Sequence, residues 1–249
     1  MQPPVKPEWR DMRPGKRLRA VVFDLDDTLV ESTVDFPKFK SLVIRRVGEF
    51  GDDPGAYSPS ETIVAILERF EGRMARRGVP GAEVRRMLAD LDRIMDSVEM
   101  EKVEGTSALP GAREVLEALR GRGVKVGVLT RGCEEYASRA LSLTGLAGLV
   151  DAMECRNSHT RPKPYPDSYL RLVGALGVDK DETVFVGDHP IDAQCAANAG
   201  VPFIGVMTGD VPEEVLRGAG SAMVAKDVGG LAAFFERALD DSPPKGLSK

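Results

Sequence analysis

Asp24, Asp26, Asp27, Thr130, Lys163, Asp188 and Asp192 are the residues of this 249-residue chain whose types and places invite chemistry. The first three close an apolar run, VVFDLDDTLV, at residues 21–30. Two like charges about 4 Å apart repel by about 1 kcal/mol in water and about 4 kcal/mol at a near-surface effective dielectric. A chain that gathers this repulsion at the end of a buried segment has a use for a cation there. Two other apolar runs also stop at a polar residue: VKVGVLT at Thr130 and TVFVGD at Asp188. Lys163 lies in the loop RPKPYPD, and Asp192 follows Asp188 by one helical turn. Carboxylates, an ammonium and a hydroxyl together suit Mg²⁺ and a phosphoryl group, because Mg²⁺ takes hard oxygen ligands and keeps several waters. Taken singly, each residue also has a plain structural use. Asp24 and Asp26 suit a turn after a strand, Lys163 a solvated surface, and Asp188 and Asp192 the first turn of a helix. Thr130 suits a helix N-cap, alone or in addition to binding.

The elements that must position these residues follow from the apolar pattern. LRAVVFD, VKVGVLT and TVFVGD are short, Val-rich and continuous, as strands buried on both faces are. AREVLEALRGRG, DSYLRLVGALG (with Asp167 as its expected N-cap) and IDAQCAANAG are helical, and VPFIGV reads as a further strand. This alternation predicts an α/β fold with an open, parallel, Rossmann-like sheet. In such sheets ligands bind beyond the carboxyl ends of the strands, which is where the polar residues fall. Residues 31–104 differ. Phe36, Phe39, Val43, Val47 and Phe50, then Ile63, Ile66, Phe70 and Met74, then Val84, Met87, Leu91, Met95 and Val98 repeat every three or four positions. They predict three amphipathic helices, hence an inserted all-helical cap subdomain with hinges near Glu31–Thr33 and Val103–Thr106. The expected organisation is a flexible N-terminal extension at 1–17 with Trp9 as an alternative docking point, a core of 18–30 and 105–238, the cap at 31–104, and a flexible tail at 239–249.

With DLDDT at 24–28, the Thr of VLTRG, the Lys of RPKPYPD and GDHPID occurring in order, the chain resembles the haloacid dehalogenase (HAD) superfamily, in its helical-cap phosphatase branch. The resemblance covers residues 18 to 235. It implies that Asp24 is a nucleophile that becomes a phospho-aspartate, and that Asp26 is the acid and base for the leaving oxygen and the water. It implies metal binding by Asp24, Asp188, Asp192 and the Asp26 carbonyl. It places Thr130 and the amides after it on the phosphoryl oxygens, and Lys163 on the developing charge. Thr28 would position the loop. Two positions depart from the pattern. Arg131 stands where many relatives carry Asn, as a substrate-anion ligand or a solvated charge; His189 stands where many carry a small hydroxyl residue, and reads as a loop-ordering group. About 30 residues separate Thr130 from Lys163, so the covering element must be the helical insertion. Its arginines at 45, 46, 69, 73, 76, 77, 85, 86 and 93 either pair with nearby acids or include one that meets a substrate carboxylate.

The resulting expectation is a Mg²⁺-dependent phosphatase of small phosphomonoesters, phosphoglycolate-like ones among them. The alternatives are a phosphosugar mutase, whose members commonly carry Gly where this chain has Asp27, and a non-catalytic phosphate-binding protein on the same fold. Asp26 argues against true dehalogenation, no Walker motif is present, and GRGVKVG precedes its strand, the wrong side for a dinucleotide site. A net charge of −5 gives no electrostatic case for nucleic acid. No apolar run approaches a membrane span. Cys133, Cys155 and Cys195 have no zinc spacing, and His159 and His189 add none, so reduced thiols in a cytoplasmic monomer or homodimer are expected.

Overall fold

A computed structural model describes residues 9–158 and 160–239; His159 and the outer parts of both expected termini lie outside the described residues. The chain divides into two compact units. One contains the chain up to Ser32 and from Thr106 onward; the other is Thr33–Gly105.

The first unit opens with the short helix α1 (Trp9–Met12), then strands β1 (Ala20–Phe23) and β2 (Val30–Glu31). The second unit supplies α2 (Phe36–Glu49), α3 (Ile63–Arg76) and α4 (Gly81–Met100). The first unit resumes with β3 (Ser107–Ala108), α5 (Ala112–Gly121), β4 (Lys125–Leu129), α6 (Glu134–Leu143), β5 (Ala152–Glu154) and α7 (Asp167–Leu176). It continues with β6 (Thr183–Gly187), α8 (Pro190–Ala199), β7 (Phe203–Val206), α9 (Glu213–Gly218), β8 (Met223–Ala225) and α10 (Ala232–Ala238).

Six strands form one parallel sheet in the order β5-β4-β1-β6-β7-β8. All four residues of β1 are buried, as are four of five in β4 and all five in β6. Valine dominates because a β-branched side chain fits the pleated surface and each face is covered by helices. Phe23 pairs with both Val128 and Val186. Asp24 is therefore level with Leu129 and Gly187, and Thr130 and Asp188 stand one residue beyond. From β1 the chain builds outward through β4 and β5, then returns to place β6 on the other side of β1. The order reverses between β1 and β6, the point where an open α/β sheet leaves a crevice. β2 and β3 pair antiparallel where the chain leaves and re-enters this unit.

Residues 9–17 differ from the expected free extension. Trp9 is buried, its indole N–H donates to the Lys16 carbonyl at 2.7 Å, and the Arg13 guanidinium donates to the Gly200 carbonyl. An indole carries too much apolar surface to leave in water when its helix, α1, can pack against α10. Asp167 is also not the cap of α7. It is the first helical residue, after Pro166, and it pairs with Arg161 at 3.0 Å.

The helical unit buries one stripe of each helix: Phe39, Val43 and Val47; Ile63, Ile66, Phe70 and Met74; Val84, Leu91, Met95 and Val98. Phe36 stays exposed. Asp35 caps α2 by accepting from Lys38 N at 3.0 Å, and Thr62 caps α3 by accepting from Ala65 N at 3.2 Å. Most of the arginines of this unit pair within it. Arg46 and Arg93 meet Asp90, Arg45 meets Glu49, Arg69 meets Glu61, and Arg73 and Arg77 meet the buried Asp52.

Candidate active site

The ends of β1, β4 and β6 deliver polar groups to the crevice. Asp24 follows β1, and its backbone N–H donates to Val186 O at 2.9 Å, so the residue stays tied to the sheet. The chain then turns sharply. Asp27 adopts φ 53°, a left-handed conformation that Asp tolerates because its short side chain bonds locally. Here Asp27 Oδ1 accepts from Ser32 N at 3.1 Å, and its own N–H donates to Val30 O at 2.8 Å. The turn leaves the carboxylates of Asp24 and Asp26 in different surroundings.

Asp24 faces a cation. Lys163 Nζ lies 2.6 Å from Asp24 Oδ1 and 2.7 Å from Asp192 Oδ1. The second contact is a close ion pair set off hydrogen-bond alignment. Lys163 is only 2 % exposed and lies over the Phe185 ring at 5.6 Å. Burial alone would lower its pKa, but Asp192 and Asp24 overcome that and raise it. Asp192 is fully buried, and its Oδ2 accepts from His189 N at 3.2 Å, while His189 Nδ1 accepts from Ile191 N at 3.2 Å. This reciprocal capping box starts α8 and fixes Asp192. Gly187 makes room for it, since a Cβ there would sit 2.6 Å from Asp192 Oδ2.

Asp188 carries the strain of the site. Burial, then Asp24, Asp192 and Asp27, push its carboxyl up to about 9, against which Lys163 pulls only weakly. Its Oδ1 accepts from the Thr28 hydroxyl at 3.3 Å. Carboxylate oxygens of Asp24, Asp188 and Asp192 all lie within 4.8 Å of one another. Such a triad is poorly matched to itself and well matched to a divalent cation, which would neutralise it with hard oxygen ligands.

Asp26 points elsewhere. Its Oδ1 accepts from the Tyr136 hydroxyl at 2.5 Å and from Ser32 Oγ at 2.9 Å, and Thr130 Oγ1 lies 3.5 Å from its Oδ2. Burial and the neighbouring Asp24 raise its pKa to about 6, with the Tyr136 and Ser32 hydrogen bonds opposing. A carboxyl in that range can give and take a proton near neutrality.

Thr130 is not a helix cap. Its Oγ1 accepts from Gly132 N at 2.9 Å, closing a tight turn, and Cys133 caps α6 through Sγ with Tyr136 N at 3.4 Å. The cap lies three residues beyond the Thr, at Cys133, because the loop first folds back on itself. Arg131 lies in this turn. Its carbonyl accepts from Arg156 Nη1 at 3.0 Å, and its guanidinium has no acidic partner among the described residues.

The sequence of the haloacid dehalogenase-like hydrolase family matches residues 21–206. The chain belongs to this family. It is 29 % identical over 225 residues to a phosphoglycolate phosphatase of Rhodospirillum rubrum, covering 87 % of this chain and 90 % of that one. It is 26 % identical to a validoxylamine A 7'-phosphate phosphatase of Streptomyces hygroscopicus subsp. limoneus, covering 76 % and 86 %. In fold it is similar to a hydrolase from Pseudomonas syringae, with a TM-score of 0.61, 21 % identity and coverage of 88 % and 98 %.

In this haloacid dehalogenase-like hydrolase the crevice thus collects Asp24, Asp26, Thr130, Lys163, Asp188 and Asp192. Tyr136, Ser32, Thr208 and Gly209 are site neighbours that sequence reasoning did not single out. Thr208 and Gly209 had a signal, because they follow the strand VPFIGV at the same sheet edge. Tyr136 had none, since a Tyr on a helix is more often core.

Proposed function

We propose that the chain is a Mg²⁺-dependent phosphatase of small phosphomonoesters that works through an aspartyl-phosphate on Asp24. The observation that carries this reading is the environment of Asp24: a carboxylate clasped by a buried lysine, beside a second carboxyl, Asp188, raised to about 9 by burial and by the carboxylates around it. Asp24 and Asp188, with the Asp26 carbonyl, would hold the cation, and Asp192 would steady Lys163 and the metal's waters. The bound cation supplies charge neutralisation and a template for phosphoryl oxygens.

The chain's own residues account for the rest. Lys163 fixes the rotation of the Asp24 carboxylate and answers charge developing on phosphorus. Asp24 forms the new P–O bond as the ester P–O bond breaks, and Asp26 gives its proton to the leaving oxygen. Asp26 then takes a proton from the water that attacks phosphorus, which frees Asp24 and releases phosphate. Thr130 and the Gly132 region would hold phosphoryl oxygens, and Arg131 is a candidate ligand for a second anionic group of the substrate. The kinship to a phosphoglycolate phosphatase favours a small phosphorylated acid. Three buried thiols with no disulfide fit a reducing cytoplasm, and among the described residues no helix is long and apolar enough to cross a membrane.

The test is phosphate release from phosphoglycolate, phosphosugars, nucleoside monophosphates and pyrophosphate, with and without Mg²⁺. Release that needs Mg²⁺ and disappears in Asp24→Asn is expected. A folded chain that releases no phosphate from any of them overturns the reading and leaves mutase or binding roles.

A further inference from the structure

The loop after β7, Met207-Thr208-Gly209-Asp210, touches both acidic segments of the site, yet no role in the proposed reaction requires it. The Thr208 hydroxyl donates to the carbonyl oxygen of Asp27, the left-handed residue of the turn that aims Asp24 and Asp26. One residue on, Gly209 passes so close to Asp188 that a Cβ built on it would fall well inside the contact radius of Asp188 Oδ2. Its φ is not in the left-handed region, so space and not backbone conformation is what a side chain would violate here. The other oxygen of Asp188 is held by Thr28 Oγ1 at 3.3 Å. Thr28 thus bears on one oxygen of the carboxylate and the Gly209 backbone on the other. The start of the loop is itself anchored, with Met207 N donating to Ala225 O at 3.0 Å.

We propose that Thr208 and Gly209 are positioning residues for the metal centre. The loop sets the separation between the Asp24 turn and the Asp188 carboxylate, and thereby the affinity for the cation. The inference rests on the metal reading above. Groups that orient metal ligands from outside the ligand set commonly change affinity by about 10–100-fold when altered.

The experiment is calorimetric titration of the full chain with Mg²⁺, without substrate, paired with thermal melting. Gly209→Ala forces Asp188 and the loop apart and is expected to weaken Mg²⁺ binding about 10-fold or more. Gly218→Ala, at a glycine with open space around it, serves as the control and keeps wild-type affinity. Thr208→Val removes the hydroxyl at nearly constant volume and is expected to weaken binding several-fold. In turnover assays both loop variants raise the Mg²⁺ concentration needed for half-activation, while KM for substrate at saturating Mg²⁺ stays put. A Gly209→Ala protein that melts like wild type and binds Mg²⁺ equally well overturns the inference. If Gly209→Ala does not fold, Thr208→Val decides by the same criterion. A wild-type chain that takes up no Mg²⁺ removes the metal reading and this inference together, whereas binding by wild type with no loss in either variant removes only the inference.

Discussion

Lys163 Nζ stands 2.6 Å from Asp24 Oδ1, across 139 residues of sequence and with both side chains almost wholly out of solvent. A buried pair of this kind is weak evidence of stabilisation, since desolvating two ions cancels much of their attraction. Breaking it is another matter. Lys163→Met would leave Asp24 and Asp192 facing each other with no cation between them. We expect turnover to fall at least 100-fold and the metal-free protein to lose on the order of 3 kcal/mol. Steady-state kinetics and urea denaturation measure the two. Retention of both activity and stability would mean that the ammonium is not what holds these carboxylates together.

Asp188 predicts an unusual pH response. Its folded-state carboxyl lies at about 9 and its unfolded value at 3.8, so the folded state holds the proton more tightly. The stability tied to that proton is fully present below about pH 4 and is lost as pH rises toward 9. The metal-free chain should therefore melt at falling temperatures over the neutral-to-alkaline range, and Mg²⁺ should flatten that slope. Asp188→Asn should raise the metal-free melting temperature near pH 8 and abolish the Mg²⁺-induced shift. A melting temperature independent of pH in the metal-free wild type would count against this electrostatic picture.

Tyr136 is expected to act through Asp26. Its hydroxyl donates at 2.5 Å to the same oxygen that Ser32 reaches at 2.9 Å. Tyr136→Phe keeps the ring in its buried place and removes only that donor. We expect kcat to fall about 10-fold with KM nearly unchanged, because the acid and base is misoriented while binding is untouched. Equal losses with good and poor leaving groups would point away from a role in proton transfer.

The helical unit offers a prediction of opposite sign. Asp52 is buried, receives Arg73 at 2.7 and 2.8 Å and the Tyr57 hydroxyl at 2.5 Å, and has Arg77 at 3.6 Å. Chiefly through the Arg73 hydrogen bonds, its carboxyl is held at about 2, below the ordinary 3.8. This stability is present above about pH 4 and is lost as pH falls toward 2, a difference of about 2 kcal/mol. Asp52→Asn should lose a similar amount at neutral pH. Circular dichroism of acid and urea unfolding checks both, and an Asn variant as stable as wild type would show the cluster to be dispensable.

How much of this was legible from the residues alone depends on how local the physics is. Parallel strands buried on both faces must be continuous apolar runs, so VVFD, VGVLT and VFVGD announced both the sheet and the edge where Asp24, Thr130 and Asp188 emerge. The helices of the insertion were equally plain, because a surface helix writes its buried stripe at intervals of three and four. Caps were less legible. Thr130 and Asp167 have the right residue types, but a tight turn and a preceding proline moved the real starts of α6 and α7. Trp9 looked like part of a loose extension because nothing nearby in sequence could cover it; the cover is α10, more than 200 residues away. The sequence by itself determined which residue types reach the crevice, since strand ends are a local property. Only the tertiary structure decided how they share it: Lys163 between Asp24 and Asp192, Tyr136 on Asp26, Thr208 on Asp27 and Gly209 against Asp188. Those pairings join segments up to 181 residues apart, and the angle and distance at which two carboxylates meet is set by the packing of the whole sheet, which no local pattern encodes.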